Sequence, residues 1–357
     1  MSDIAGPAAT ALASLCPDDL IFLQALPKAE LHAHLNGSIP IKTILELAQQ
    51  YSPSTAAQTT EVADTLEKLR SGVVFNEIDD FFSLMPAIYA LTSTPEAVTT
   101  VTRAVLQSFL NPTGDGAESP QCTYLELRTT PRATTHITRE RYLTIVLDEI
   151  EMYPAIQAAL IVSVDRRMSD LDLEECVSLA IKMKNRGRRV VGVDVCGDPR
   201  RGDMQSFTRH LSRAKGAGLG LTVHIAECTE NTTEDSLALL SCRPDRLGHA
   251  TFLSDELKAV FFEDISQHYK PCIEICLSSN LLGKTAASLD AHHIHYYLKN
   301  DHPIVICTDD TLPFRTSCLG EYSLLLAQPP LGLGLSRGDV ARVARMGLDA
   351  AFLRPCD

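Results

Sequence analysis

The chain has 357 residues, of which 45% are hydrophobic and 22% are charged, and this balance is typical of a globular protein with a large core. Its formal net charge is −13, and no run of lysine and arginine is long enough to follow a nucleic-acid backbone. The composition therefore excludes a basic surface for nucleic-acid polymers, whereas an anionic small molecule would need only a few local arginines.

The N-terminal segment MSDIAGPAATALASLCPDD carries acids and no basic region, so it is not typical of a secretory signal. No apolar segment approaches the length that spans a bilayer, and we expect no membrane partner. The eleven cysteines show no CxxC spacing, and several lie inside apolar runs, which indicates reduced core thiols. A cytoplasmic enzyme that acts as a monomer is expected.

Short apolar runs that end in polar or glycine residues recur along the chain and predict β-strands. The first is AELHAHLNG at 29–37, which follows an N-terminal extension over 1–25. A helical insertion with an exposed loop occupies 38–120, and the Pro- and Gly-rich segment 111–121 forms the loop. The other seven predicted strands alternate with helical patterns and cover 122–130, 158–165, 190–197, 219–227, 246–252, 272–279 and 304–310.

Eight strand-helix repeats predict an α/β fold, a single (β/α)8 TIM barrel over residues 1–357 with a helical insertion after the first strand. The competing arrangement is an open, doubly wound sheet, which usually begins with a glycine-rich phosphate turn after its first strand. No such turn follows 29–37, so the barrel is favoured. Functional side chains of a barrel gather at the carboxyl ends of its strands.

Two histidines in the first predicted strand point to one face of it. His32 and His34 are two residues apart, and strand side chains alternate between faces. A shared metal ion is the natural use of such a pair. Two hydrogen-bonded histidines of the core or of a loop are the alternative, and the pair alone leaves both open.

Polar residues also end three later strands: His224 and Glu227 in HIAE, His249 in GHAT, and Asp309 and Asp310 in CTDD. Each of them taken alone could be an ordinary structural residue. Three imidazoles and one carboxylate from three strands, however, suit Zn²⁺ and leave a coordination position for water. Because a bound metal lowers the pKa of water toward neutrality, the set indicates hydrolytic chemistry.

These motifs carry a specific resemblance that extends over nearly the whole chain. The segments LPKAELHAHLNGSI, HIAE, GHATF, CLSSN and ICTDD resemble the signatures of the adenosine and AMP deaminase family. The resemblance implies a barrel of the metal-dependent hydrolase type with one Zn²⁺ per chain. It places the metal ligands at His32, His34, His224 and Asp309.

The same resemblance implies roles for the remaining polar residues at the strand ends. Glu227 would protonate the purine ring nitrogen, while His249 and Asp310 would hold and orient the attacking water. Gly197, in VDVCGDP, would approach the purine through its backbone, whereas the glycine taken by itself indicates a turn residue. His34 and Asp310 would contact the substrate as well.

Asn36, in HLNG, indicates which branch of the family the chain resembles. Adenosine deaminases proper typically have an aspartate at this position, whereas the adenosine deaminase-like branch has the asparagine, and its members are N6-methyl-AMP deaminases. The resemblance therefore implies hydrolysis of N6-methyl-AMP to IMP and methylamine, with Asn36 at the substrate. Two departures are Tyr89, where the branch commonly has a histidine, and a longer loop at 111–121.

The segment LELRTTPR supplies a candidate phosphate cradle, because guanidinium and hydroxyl donors match phosphate oxygens. We expect Thr129, Thr130, Pro131 and Arg132 to contact a nucleotide phosphate. Asp165, at the end of the third strand, would receive the ribose or an arginine at the rim of the barrel. The alternative is that the arginines of this region form ordinary ion pairs at the barrel rim, namely Arg128, Arg132, Arg166 and Arg167.

Two further functions remain open on the sequence alone: deamination of adenosine, and a catalytically silent nucleoside-binding protein. The presence of Glu227 argues against the silent protein, since a binding pocket needs no acid beside a metal. No lysine ends the fourth strand, so a two-metal site bridged by a modified lysine is not expected. His292, His293 and His295 in AHHIH are interpreted as a solvated face rather than as a second metal site.

Overall fold

Eight parallel strands form one sheet in chain order, from β1 to β8. The structure is a computed structural model, and it describes residues 4–53, 55–112, 119–259, 262 and 269–353. The strands are β1 Ala29–His34, β2 Tyr124–Thr129, β3 Ala158–Asp165, β4 Val190–Cys196, β5 Gly220–Ile225, β6 Arg246–His249, β7 Cys272–Ile275 and β8 Ile304–Ile306.

The last strand returns to the first and joins the sheet into a barrel. Ala33 in β1 forms a parallel bridge with Asp309, which lies just beyond β8. The His34 amide donates to the Asp309 carbonyl at 3.2 Å, and the Asp309 amide donates to the His32 carbonyl at 2.9 Å. The predicted barrel is therefore confirmed, and the open doubly wound sheet is excluded. This junction also brings residues 32–34 beside residue 309.

Helices follow most of the strands and cover the outside of the barrel. Several begin at a side chain that caps the first turn, for example Thr138, Ser169 and Thr232, each of which accepts from a backbone amide. The helices after β2 are α8 Arg139–Ile150, α9 Asp170–Asn185, α10 Met204–Gly216, α11 Thr233–Ser241, α12 Asp255–Lys258, α13 Leu277–Leu282, α14 Ile294–Lys299, α15 Thr311–Phe314, α16 Cys318–Leu326 and α17 Arg337–Asp349.

Two helices precede β1, and five more occupy the segment between β1 and β2. Residues 113–118 of the predicted loop at 111–121 lie outside the described residues. No helix in the described ranges is both long and apolar enough to traverse a lipid bilayer. The seven helices are α1 Gly6–Ser14, α2 Pro17–Ala25, α3 Ile41–Gln50, α4 Ala56–Ser71, α5 Ile78–Phe82, α6 Met85–Leu91 and α7 Pro95–Leu110.

The cysteines that the structure describes are free thiols, as predicted, and all of them except Cys16 are buried. Burial raises the pKa of such thiols, for example to about 12 at Cys176. They therefore act as small apolar groups of the core.

Glu321, a buried acid of α16, makes the stability of the fold depend on pH. The Glu321 side chain is fully buried, where it is 2.6 Å from the Thr316 hydroxyl and 3.2 Å from the Ser278 amide. Burial raises the pKa of Glu321 from its ordinary value of 4.5 to about 7. A protonated Glu321 can donate to the hydroxyl and accept from the amide, and a glutamine can do the same.

Replacing Glu321 with Gln is expected to remove this pH dependence. Between pH 4.5 and 7 the unfolded chain releases the Glu321 proton and the folded chain keeps it, so wild-type stability falls as pH rises through this range. The two pKa values correspond to a loss on the order of 3 kcal/mol. Urea unfolding at pH 5 and pH 8 should show this extra loss in the wild type but not in the variant. Equal losses in both proteins would contradict the assignment.

Candidate active site

Residues from opposite ends of the sequence converge at the carboxyl ends of the strands. His32 and His34 belong to β1, His224 belongs to β5, and Asp309 follows β8. The Nε2 atoms of His32 and His34 lie 3.6 Å and 3.7 Å from Asp309 Oδ1. His34 Nε2 is also 3.2 Å from His224 Nε2. The structure thus brings together the four side chains that the resemblance assigned to a metal.

The hydrogen bonds of two imidazoles show that this set fits a cation. His32 Nδ1 lies 2.6 Å from a carboxylate oxygen of Glu274, and His224 Nδ1 lies 3.0 Å from a carboxylate oxygen of Asp194. Since carboxylates accept, both Nδ1 atoms carry hydrogen and both Nε2 atoms present lone pairs to the centre. His32 Nε2 is buried and has no hydrogen-bond partner among the described residues. A metal ion would satisfy it.

Burial and neighbouring charges together set the ionisation of the proposed ligands. They favour the metal-binding form at His32, His34 and Asp309, whereas at His224 the Asp194 carboxylate outweighs burial and raises the pKa. Burial lowers the pKa of His32 well below its usual value, and it lowers the pKa of His34 to about 3. Burial alone would raise the pKa of Asp309, but the surrounding imidazoles, His249 first, lower it overall. Neutral imidazoles beside an ionised carboxylate are the forms that bind a metal.

Arg128 lies beneath this cluster and compensates the charge of the two supporting carboxylates. Its side chain is fully buried, with Nη1 at 3.4 Å from Asp194 and Nη2 at 2.9 Å from Glu274. Arg246 adds a second contact to Glu274, at 2.7 Å. The alternative of ordinary ion pairs at the barrel rim does not hold for Arg128, because this arginine forms its ion pairs in the interior.

The residues predicted for proton transfer lie beside the cluster. His249 Nε2 is 3.7 Å from Glu227 Oε1 and 4.0 Å from Asp309 Oδ2. Asp310 packs so closely on Gly37 that a Cβ at residue 37 would lie 1.5 Å from its carboxylate. Burial, followed by the neighbouring Asp309 carboxylate, raises the pKa of Asp310 well above its usual value. The Glu227 carboxyl, the His249 imidazole and the Asp310 carboxyl therefore all lie next to the proposed metal ligands.

A cavity of about 380 Å³ opens above these residues. Three of the four cluster residues, His34, His224 and Asp309, belong to its lining, and much of its wall is aromatic. Such a combination of an apolar wall and a few convergent polar groups is typical of a small-molecule site. The phenylalanines that line it are Phe75, Phe81, Phe82, Phe252 and Phe314.

Most of the predicted substrate residues line this cavity, and two do not. Pro131 is buried outside its lining. Arg132 donates from Nη2 to the Thr92 hydroxyl at 2.8 Å and from Nη1 to the Tyr89 carbonyl at 3.1 Å. Arg132 therefore fastens α6 to the loop after β2 rather than facing the cavity. The predicted residues that line it are His34, Asn36, Thr129, Thr130, Asp165, Gly197 and Asp310.

Asn36, which the resemblance links to one branch of the family, is held by hydrogen bonds. The Thr92 hydroxyl donates to the Ile88 carbonyl at 2.8 Å, so its oxygen accepts from Asn36 Nδ2 at 3.1 Å. An aspartate at residue 36 would place a carboxylate oxygen, which only accepts, against the accepting Thr92 oxygen. Tyr89, where the resembled branch commonly has a histidine, lines the cavity, and its ring lies 4.3 Å from the Arg132 guanidinium.

Residue 197 must be a glycine for two reasons, its backbone conformation and the closeness of the Asp165 carboxyl group. Its φ is 95°, a conformation that favours glycine, and a Cβ there would lie 2.7 Å from the Asp165 carboxyl carbon. Asp165 in turn accepts from Arg167 Nε at 2.9 Å and from Nη2 at 2.7 Å. The predicted approach of Gly197 to a purine stays a prediction.

The interpretation of the AHHIH segment as a solvated face was wrong for His292, whereas His293 is half-buried and His295 is exposed. His292 is only 2% exposed, and its ring stacks on His293 with centroids 4.3 Å apart. His293 and His295 each bond a backbone carbonyl, that of His249 and that of Leu289. No metal-compatible grouping within the described ranges includes these three histidines.

A parallel barrel that gathers three imidazoles and a carboxylate at the carboxyl ends of its strands has the architecture of a metal-dependent hydrolase. The sequence profile described as Adenosine deaminase matches residues 27–355. The chain belongs to the adenosine deaminase family, which is metal-dependent. The predicted resemblance is confirmed.

Individual relatives refine this placement. The N6-Methyl-AMP deaminase of Homo sapiens is 36% identical over 312 residues, which cover 85% of this chain and 83% of the relative. The crystal structure of the Arabidopsis N6-mAMP deaminase superposes with a TM-score of 0.79 at 32% identity, covering 93% of this chain and 95% of that chain. An Arabidopsis structure complexed with IMP gives a TM-score of 0.78 at 32% identity and covers 93% of both chains.

Proposed function

We propose that the chain hydrolyses N6-methyl-AMP to IMP and methylamine. The observation that carries the proposal is the convergence of His32, His34, His224 and Asp309. Of these, His34, His224 and Asp309 line one cavity together with Glu227. The human and Arabidopsis relatives are named for the same activity, and one Arabidopsis structure contains the product IMP. Asn36, in place of the aspartate of adenosine deaminases proper, supports a nucleotide rather than a nucleoside.

The residues present fit one Zn²⁺ per chain, with His32, His34, His224 and Asp309 as its ligands. When bound, the metal would lower the pKa of a water toward neutrality and so supply a nucleophile. The Glu274 and Asp194 carboxylates keep the Nε2 atoms of two of these histidines aimed at the centre. Strand β4 ends at Cys196, so it offers no lysine that could bridge a second metal.

Three side chains beside the proposed metal ligands would donate or accept protons and hydrogen bonds at the reaction centre. Glu227 is placed to protonate the purine ring nitrogen, which draws electron density away from the carbon under attack. His249 and Asp310 would hold the attacking water by accepting and donating hydrogen bonds on its side of the cavity. Because the bond broken joins the ring carbon to the amino nitrogen, methylamine and ammonia could both leave by the same route.

Three cations of the cavity lining are better placed than Arg132 to meet a phosphate: Arg167, Arg200 and Lys284. Arg167 is half exposed, and Asp165 occupies its Nε and Nη2. Its Nη1 can therefore serve a phosphate oxygen while Asp165 receives the ribose. Thr130, which also lines the cavity, adds a hydroxyl donor to this end of the substrate.

Replacing Arg167 with Ala is expected to lower the preference for nucleotide over nucleoside by about tenfold to a hundredfold, since a charge-assisted hydrogen bond contributes about 1.5 to 3 kcal/mol. The measurement compares kcat/KM for N6-methyl-AMP with that for N6-methyladenosine. Arg132→Ala is the matched comparison and should change both values together through α6. If Arg132→Ala alone lost the preference for the nucleotide, the phosphate contact would belong to Arg132, as the sequence predicts, and not to Arg167.

The activity itself is tested with purified, zinc-loaded protein. N6-methyl-AMP, AMP and adenosine are supplied separately, and the change in purine absorbance is followed. We expect N6-methyl-AMP to have the highest kcat/KM. Faster turnover of adenosine would assign the chain to adenosine deamination, and binding of IMP without turnover of any substrate would indicate a silent nucleoside-binding protein.

A further inference from the structure

The polypeptide leaves β6 through two successive residues with left-handed backbone. His249 has a φ of 61° and Ala250 has a φ of 51°, a conformation that residues other than glycine rarely adopt. The turn aims the His249 imidazole at Glu227 and at the Asp309 carboxylate. A strained conformation at such a place persists only where the surrounding structure fixes it.

Side chains from the segment between β7 and β8 hold each residue of this turn. His293 Nε2 lies 2.9 Å from the His249 carbonyl oxygen, and the Tyr297 hydroxyl donates to the Ala250 carbonyl at 3.4 Å. The Asn280 amide donates to the Thr251 hydroxyl at 3.3 Å. Three consecutive residues of the turn are therefore tethered to one neighbouring segment.

His292 and Asn280 extend the tether to Thr251. His292 Nδ1 accepts from the Ile294 amide at 3.0 Å, so its Nε2 carries the hydrogen and donates to Asn280 Oδ1 at 3.0 Å. This contact fixes the orientation of the Asn280 amide, whose nitrogen faces Thr251. The buried ring of His292 also stacks on His293 and holds it in place.

The tautomer of His293 is defined by the same geometry. A carbonyl oxygen only accepts, so His293 must carry its hydrogen on Nε2 to bond the His249 carbonyl. Its Nδ1 is buried and has no hydrogen-bond partner among the described residues. Burial lowers the pKa of His293 to about 4, which keeps the ring neutral near pH 7.

We propose that His293 is a positioning residue, which holds the His249 carbonyl and thereby keeps the His249 imidazole aimed at Glu227 and the reaction centre. Its effect on turnover rests on the proposed deaminase function, whereas its effect on the turn does not. A displacement of about 1 Å at a reaction centre can cost as much as a hundredfold in rate. His293 therefore acts on catalysis without touching the substrate.

The test compares His293→Leu, which removes the donor, with His293→Gln, whose amide nitrogen can donate from about the same place. His295→Leu is the control, because His295 belongs to the same segment but bonds the Leu289 carbonyl, away from the turn. For N6-methyl-AMP, His293→Leu should lower kcat about tenfold to a hundredfold with KM changed less than about threefold. His293→Gln should recover most of that rate, and His295→Leu should match the wild type.

Hydrogen exchange of the backbone amides at 249–252 supplies a readout that needs no turnover. Faster exchange there in His293→Leu, with recovery in His293→Gln, supports the tether even if N6-methyl-AMP proves not to be a substrate. Unchanged exchange and unchanged kcat in His293→Leu would overturn the proposal. So would equal losses in the Leu and Gln variants, since they would indicate a packing role rather than a hydrogen bond.

Discussion

Replacing Glu227 with Gln is expected to lower kcat for N6-methyl-AMP by about a hundredfold to ten-thousandfold, the usual contribution of a positioned general acid. The amide has the same shape but no proton of suitable acidity to give to the ring nitrogen. Metal content and IMP affinity should stay within about twofold of the wild type, because Glu227 is not among the proposed metal ligands. Stopped-flow or steady-state absorbance measures the rate, and equilibrium titration measures the affinity.

Glu230→Gln is the matched control for that variant. Glu230 lines the same cavity, but its carboxylate bonds the exposed Thr229 hydroxyl at 3.1 Å rather than a residue of the cluster. Its replacement should leave kcat unchanged within about twofold. A Glu227→Gln variant that turns over as fast as Glu230→Gln would refute the assignment of Glu227 as the acid.

Replacing Glu274 with Gln is expected to cost on the order of 3 kcal/mol of folding free energy and to weaken metal binding about tenfold to a hundredfold. Both carboxylate oxygens accept from buried donors, and these donors come from His32, Arg128, Thr222 and Arg246. A glutamine amide would place its own N–H groups against some of them. Urea unfolding and competition with a metal chelator measure the two effects.

Glu175→Gln is the surface comparison for Glu274→Gln. Glu175 pairs with Arg139 at 2.6 Å on the outside of the barrel, where its side chain is 49% exposed. Exposed pairs contribute about 1 kcal/mol or less, so this variant should be nearly neutral in stability and in metal affinity. If Glu274→Gln behaved like Glu175→Gln, the buried carboxylate would not be supporting the metal site.

The barrel and the metal cluster could be predicted because they depend on short-range patterns. The HxH pair in a strand requires both side chains on one face, and strand-end residues of a barrel must meet at one end. Asp309 needed no contact information to be placed near His32, since β1 and β8 are neighbours in any closed barrel of eight strands. The predicted strands were longer than the observed ones because their polar ends turn out of the sheet, as at Asp309 with a φ of 62°.

The supporting carboxylates could not be placed from sequence, although each leaves a signal. Asp194 in VVGVDVCG and Glu274 in CIEIC are single acids inside apolar strands, where an unpaired charge would be costly. That cost indicates a buried partner but does not identify one. The partners, His224 and His32, are distant in sequence, so only the assembled barrel shows the pairs.

The direction of side chains beyond the strand ends could not be predicted from the sequence. Arg132 lies two residues after Thr130 and was predicted to contact a phosphate, yet its guanidinium bonds Thr92 in the insertion. His292 lies in a polar stretch, yet it is buried against His293. Both outcomes depend on which helix packs above the loop, and local sequence patterns do not contain that information.

The convergence of His32, His34, His224 and Asp309 on a single metal ion is tested most directly by metal analysis combined with turnover. Metal per chain is measured in purified protein, and N6-methyl-AMP turnover is measured before chelation, after chelation and after zinc is returned. We predict close to one metal per chain, loss of turnover on chelation and recovery with zinc. Metal-free protein that works at full speed, or a stoichiometry near two, would contradict the single-ion site.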